Sequence, residues 1–146
     1  MTIAGGCRCG AVRYTLAMDE LPPVYCCHCH DCQRWSGSAF SAQGFVREDA
    51  LTLDGPIVDY VYDTRSGGQS RQRICAVCHT RIFNGHTARP GIALLRAGTL
   101  DDSDTIVPRL HIWVKRKQPW IVLPAGVPTF EESAPMAEMA AIMTRG

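Results

Sequence analysis

Apolar residues recur at alternate positions in several short runs of the chain. Val12, Tyr14 and Leu16 alternate with polar neighbours, as a strand with one buried face requires. Val24–Cys27 reads as a short strand after the break at Pro22-Pro23, residues 39–47 mix apolar and polar side chains in strand fashion, and Val58, Tyr60 and Tyr62 alternate again. Ser66-Gly67-Gly68-Gln69 predicts a hairpin turn, because paired glycines supply the positive φ that such turns need. Residues 70–75 and 81–85 then flank Cys75-Ala76-Val77-Cys78-His79 as strand, tight turn and returning strand. Residues 92–97 form a short apolar strand, and 98–104 are polar and turn-like. Residues 109–114 put Leu110, Ile112 and Val114 on one face and His111 and Trp113 on the other. Residues 124–130 read as irregular. Helix is expected only in His30–Ser36, one or two turns closed by Gly37, and in 135–144, rich in Ala, Met and Glu. The fold class is mainly β with little helix.

Composition narrows this. At 146 residues the chain suits one domain with a real core, and no break in composition divides it. The expectation is a single domain over residues 1–146, with the core at about 3–130 and residues 131–146 as a C-terminal tail or short helix. A formal charge of +1 argues against nucleic acid as the main partner, which calls for a strongly basic face. Neither a basic leader before an apolar run nor a membrane-spanning apolar run is visible, so a soluble, cytoplasmic protein is expected, with no membrane partner. In a reducing compartment its eight cysteines, clustered in short pairs, favour metal over disulfides; export would reverse that inference.

The segment from Cys26 to Gly37 packs four thiols and two imidazoles into a run too short to hold a core of its own. Cys29 and Cys32 have the Cys-X-X-Cys spacing that lets two sulfurs reach one zinc ion, and Cys27 adds a third through Cys-X-Cys. Alternation along the strand sends Cys26 and His28 the other way. Three protein ligands and an open position are how catalytic zinc is usually held. Cys7 with Cys9 and Cys75 with Cys78 are two further short pairs, able together to enclose a structural zinc that clips the N-terminus to the middle of the chain. Other divisions stay open on spacing alone. Cys7 and Cys9 could complete the central site, and the trio could be closed by His28, His30 or Cys26. Cys26 reads as a small buried hydrophobe, His79, His86 and His111 as hydrogen-bonded side chains, and Lys115-Arg116-Lys117 as a solvated cluster.

Taken together, Gly6-Cys7-X-Cys9-Gly10-X-Val12, Cys27-His28-Cys29-X-X-Cys32-X-Arg34-X-X-Gly37, Cys75-X-X-Cys78 with Thr80 and Phe83, Gly98-Thr99-Leu100-Asp101, and His111-Ile112 with Lys115 and Pro119-Trp120 resemble the glutathione-dependent formaldehyde-activating enzyme family, to which centromere protein V also belongs. The match runs in order to about Phe130. It implies stacked and bent antiparallel sheets with zinc knuckles, like those of the Rab-binding zinc chaperones. It implies two zinc ions: a structural one on Cys7, Cys9, Cys75 and Cys78, and a catalytic one on Cys27, Cys29 and Cys32 whose site need not be full. The activity implied is carbon-sulfur lyase or synthase chemistry on a thiol adduct such as S-hydroxymethylglutathione. Arg34 then becomes a candidate contact to a glutathione carboxylate, against the alternative of a surface ion pair, and His28 or His30 a candidate proton shuttle. The partner implied is a small-molecule thiol, glutathione foremost, and a homodimer is compatible with the sequence. The alternative function is a non-catalytic, zinc-stabilised binding or scaffold module. Where the family commonly has glycine after the second knuckle this chain has His79, which puts the tight turn beyond Cys78 in question.

Overall fold

The computed structural model describes residues 2–144, and in it the chain is mainly β with two short helices. Two compact units emerge, the chain crossing between them three times: residues 1–22 with 44–106, and residues 23–43 with 107–146. Among the described residues no helix is long and apolar enough to cross a membrane.

In the first unit, β1 (Ile3–Gly6) pairs antiparallel with β2 (Arg13–Leu16). Val12, Tyr14 and Leu16 turn inward as their alternation predicts, while Arg13 and Thr15 face solvent. The other edge of β2 takes a strand that the pattern did not announce, Leu51–Asp54. Numbered in chain order, the strands before it are β3 (Val24–Cys27) and β4 (Ser41–Arg47), so Leu51–Asp54 is β5. Next come β6 (Ile57–Asp63), β7 (Gln69–Cys75), β8 (Arg81–His86) and β9 (Ile92–Arg96). From β6 to β9 each strand pairs antiparallel with the next. The Gly67-Gly68 turn has φ values of 95° and 73°, as its hairpin reading requires. Along β6 the alternation of Val58, Tyr60 and Tyr62 forms the strand it predicts. The strand lies at an edge, and Val58, Tyr60 and Val61 stay about half exposed. Val12, Tyr14, Leu16, Ile82, Phe83, Leu95 and Leu100 build the core, and Cys7 and Cys75 are buried in the same cluster.

The second unit is organised around β3, whose four residues are all buried. β10 (Leu110–Ile112) lies beside it in parallel, Leu110 opposite Tyr25 and Ile112 opposite Cys27. This departs from a wholly antiparallel expectation, and the long stretch of chain between the two strands is what allows a parallel pair. β10 is also shorter than residues 109–114, because Trp113 adopts a left-handed φ of 57° and a 3-10 turn, Val114–Arg116, follows. Both faces of β10 are covered, so His111 is buried along with Leu110 and Ile112. Helix α1 (His30–Ser36) occupies its predicted span and ends at Gly37, whose φ of 63° is the left-handed cap for which glycine carries no steric cost. Helix α2 (Met136–Met143) buries Met143. Residues 128–130, at the end of the stretch read as irregular, run beside β10: His111 N–H donates to the Pro128 carbonyl and Phe130 N–H to the His111 carbonyl.

The turn beyond Cys78 keeps its shape with histidine in place of glycine. His79 is exposed, sits at φ 62° and donates its backbone N–H to the Cys75 carbonyl at 3.0 Å. A left-handed residue with a Cβ costs roughly 1–2 kcal/mol, partly offset by the extra unfolded-state entropy of glycine, about 0.5–1 kcal/mol. His79→Gly is therefore expected to stabilise the protein by up to about 1 kcal/mol, read as a rise of about 2–4 °C in the thermal midpoint. A lower midpoint would mean that the histidine side chain holds the turn.

Candidate metal centres and groove

The first sulfur cluster forms where the β1–β2 turn meets the β7–β8 turn. The Sγ atoms of Cys7, Cys9, Cys75 and Cys78 all lie within 4.8 Å of one another. Cys7 and Cys9 are 3.5 Å apart and Cys9 and Cys75 3.9 Å. Four sulfurs about 2.3 Å from one zinc stand about 3.8 Å from each other in a tetrahedron, whereas a disulfide needs about 2.05 Å. This donor set therefore fits a metal and not a cross-link. Backbone N–H groups already point at the sulfurs: Val12 donates to Cys7 at 3.3 Å, and Val77 and Cys78 to Cys75 at 3.4 and 3.5 Å. The Thr80 hydroxyl donates to Cys78 at 3.1 Å, and this contact, with the backbone of Thr80, pulls the Cys78 thiol down to about 5.

The second cluster gathers the Sγ atoms of Cys27, Cys29 and Cys32, again within 4.8 Å of one another. β3 delivers Cys27 buried, while α1 supplies the other two, half-buried. Cys29 is the N-cap of α1, and its sulfur accepts the Cys32 N–H at 3.3 Å. Its neighbours Cys27 and Cys32 pull the Cys29 thiol down, while contact with Cys29 and Cys32, then burial, pushes Cys27 upward. A cation among them lets all three ionise. Gln43 reaches Cys32 with its amide nitrogen at 3.9 Å. Cys26 is not in the cluster; burial pushes its thiol up to about 12, which suits a neutral core side chain.

The histidines part company. His28 is wholly buried, and its Nε2 meets Nδ1 of His111 at 3.0 Å. Burial first, then the charges of His111 and Lys117, pushes His28 down to about 4. His30 is exposed on α1 and lines a groove of about 570 Å³ with Gln33, Arg34, Ser38, Gln118 and Trp120. Arg34 is exposed and reaches no carboxylate in the structure's ion pairs among the described residues. One wall of the groove is tied to the sulfur loop by a chain of amides that no local pattern announces. Trp120 Nε1 donates to Gln118 at 2.7 Å, Gln118 Nε2 to Gln33 at 3.2 Å, and Gln33 Nε2 to the carbonyls of His28 and Arg116 at 2.9 and 3.0 Å. His79 and His86 belong to neither cluster.

Comparison with known proteins gives this arrangement a context. The sequence profile of the glutathione-dependent formaldehyde-activating enzymes matches residues 2–116. A Halomonas elongata protein carrying that family's name is 23% identical over 126 residues, 83% of this chain and 80% of its own. An uncharacterized lyase of Schizosaccharomyces pombe is 25% identical over 83 residues, 57% of each chain. The crystal structure of a Rhodobacter sphaeroides protein shares the fold, with a TM-score of 0.54 at 18% identity over 87% of this chain and 98% of that one.

Because Cys26 stands apart from both sulfur sets, Cys26→Ala is expected to leave the number of bound metal ions per chain unchanged, as measured by elemental analysis of the purified protein. Loss of one equivalent would place Cys26 among the ligands and undo the three-sulfur geometry.

Proposed function

The chain belongs to the glutathione-dependent formaldehyde-activating enzyme family, and from that premise we propose that it is a zinc-dependent carbon-sulfur lyase or synthase acting on a thiol adduct such as S-hydroxymethylglutathione. Membership supports an enzymatic role connected with glutathione and formaldehyde. The observation that carries the finer reading is the Cys27, Cys29 and Cys32 cluster at the start of a helix whose next turns line an open groove. In this reading Cys7, Cys9, Cys75 and Cys78 hold a structural zinc, and the trio holds a catalytic one. The sheets are those of the zinc-chaperone type, with a knuckle between β7 and β8, and the two units work as one cytoplasmic zinc domain spanning 1–146.

When bound by the trio, zinc supplies an open fourth position for a thiol sulfur and lowers the pKa of that thiol. The chain's own residues do the rest. Arg34, which lines the groove, offers its planar fork to a carboxylate of the thiol substrate. Carbon-sulfur bond formation opens the carbonyl π bond of formaldehyde, and the proton lost by the thiol ends on the new alkoxide oxygen. His30 is the imidazole placed on the groove for that transfer; His28, enclosed and bonded to His111, instead fixes the loop. The Gln33, Gln118 and Trp120 chain keeps the groove wall in register with the sulfur loop.

The two metal sites should answer differently to loss of a ligand. Cys7→Ser, Cys9→Ser, Cys75→Ser or Cys78→Ser is expected to destabilise the fold severely, since structural zinc contributes roughly 10 kcal/mol in small modules. Cys27→Ser or Cys32→Ser is expected to remove one metal with a far smaller drop in thermal midpoint. Overlapping melting curves for the two sets would abolish the distinction.

Cobalt substitution tests the substrate itself. Glutathione at about 1 mM, where weak small-molecule binding is read, is expected to shift the visible bands of one cobalt site and leave the other unchanged. Arg34→Ala should weaken that response about tenfold or more. Unchanged bands in a folded protein would rule out coordination of the substrate sulfur and leave a non-catalytic zinc module as the reading to adopt.

A further inference from the structure

Gly85 is the next-to-last residue of β8, and nothing in the backbone there calls for glycine. Its φ is not among the positive ones, and a Cβ built on it would meet only the Ile92 carbonyl oxygen, at 3.8 Å. Glycine inside a strand gives up backbone entropy and packs no side chain, and one of the places it is found is where a ligand or another backbone approaches the sheet closely. Here the bare backbone belongs to the row that pairs Val61 of β6 with Arg71 of β7 and Arg71 with Gly85. Above it is a cavity of about 280 Å³, at the small end of ligand pockets.

The groups around this cavity carry unbalanced charge. Arg71 donates to Glu48 at 3.0 Å, which neutralises one cation. Arg89, half-buried in the β8–β9 turn, lines the cavity and makes no side-chain hydrogen bond or ion pair among the described residues. His86 is already spent: Ala88 N–H donates to its Nδ1 at 2.9 Å, and its Nε2 lies 2.9 Å from Thr64 Oγ1. Val61, Pro90 and Ile92 supply an apolar side. One net positive charge, a planar five-donor fork with no partner and an apolar wall over an empty Cβ position match one chemistry.

We propose that this cavity is a second small-molecule site, separate from the sulfur clusters, that binds a compact organic monocarboxylate. The carboxylate is held by Arg89, with Arg71 beside it, and the apolar body rests over Gly85 against Val61 and Ile92. A phosphate dianion would leave charge unmatched and the apolar wall unused.

Benzoate titrated into the full metal-loaded chain, followed by amide NMR shifts and calorimetry, is the test. Saturable binding is expected, with the largest shifts at Gly85, Arg89 and Ile92. Arg89→Ala, which removes no side-chain hydrogen bond or ion pair among the described residues, should weaken it about tenfold or more, and Gly85→Val should abolish it by filling the cavity. Benzamide, neutral and of the same shape, should not compete. The proposal fails if benzoate shifts no residue of this cavity, if Arg89→Ala binds it as tightly as the parent chain, or if inorganic phosphate binds equally well. None of these outcomes depends on glutathione chemistry, so the proposal stands or falls apart from the family reaction.

Discussion

Four sulfurs within 4.8 Å of one another are the constraint on which the first unit depends. Were all four ionised, each pair would repel by about 4 kcal/mol at an effective dielectric near 20. A cation there would turn that repulsion into a cross-link, because the four sulfurs come from two turns far apart in sequence, one after β1 and one between β7 and β8. Cys7 and Cys75 are also members of the hydrophobic cluster with Leu16, Ile82 and Leu95, so the sulfur centre and the apolar core share walls. The metal that we propose there is thus inseparable from packing. A strand as short as β1, with only Ile3 as a large buried side chain, gains its place from the cluster that follows it.

How much of this was legible depends on whether the signal was local. The Val24–Cys27 strand, the His30–Ser36 helix and its Gly37 cap were read at their observed bounds, because a break, a cap and a terminator all lie within a few residues. The two sulfur sets were also legible, since thiol spacing is itself the geometry. β5 escaped because Leu51–Asp54 is only four residues long, two of them half-buried, and is fixed by pairing with distant β2. β10 was overextended because nothing in Ile112-Trp113-Val114 announces a left-handed tryptophan. The β6 alternation was real but lay at an edge, where pattern alone does not tell a buried face from an exposed one.

The side chains that shape the second site were the least legible. His28 and His111 are 83 positions apart, and each alone reads as an ordinary histidine. Only the parallel pairing of β3 with β10 brings their rings to a 5.2 Å centroid distance, beside Phe40. Once enclosed, His28 is withdrawn from the groove, and His30 is the histidine that lines it. Gln33 likewise gives no sign in sequence that its one amide spans two carbonyls far apart in the chain, those of His28 and Arg116.

The same geometry explains why two similar sets of thiols should behave differently. Each thiol of the first cluster helps join two turns that are otherwise linked by the Arg8 N–H bond to the Thr80 hydroxyl at 3.2 Å, and beside them lies the core around Cys75, which is fully buried. The second cluster is confined to the short run from Cys27 through Cys32, and the loop that carries it has its own support. Gln33 N–H bonds the Cys29 carbonyl at 3.0 Å, His28 N–H bonds Ile112 at 3.0 Å, and the Gln33 side chain holds the His28 carbonyl. A loop braced by protein can lose or change its metal coordination without unfolding. That tolerance is what a site needs if a ligand sulfur is to enter and leave, so the different behaviour that we propose for the two centres rests on where their thiols sit along the chain.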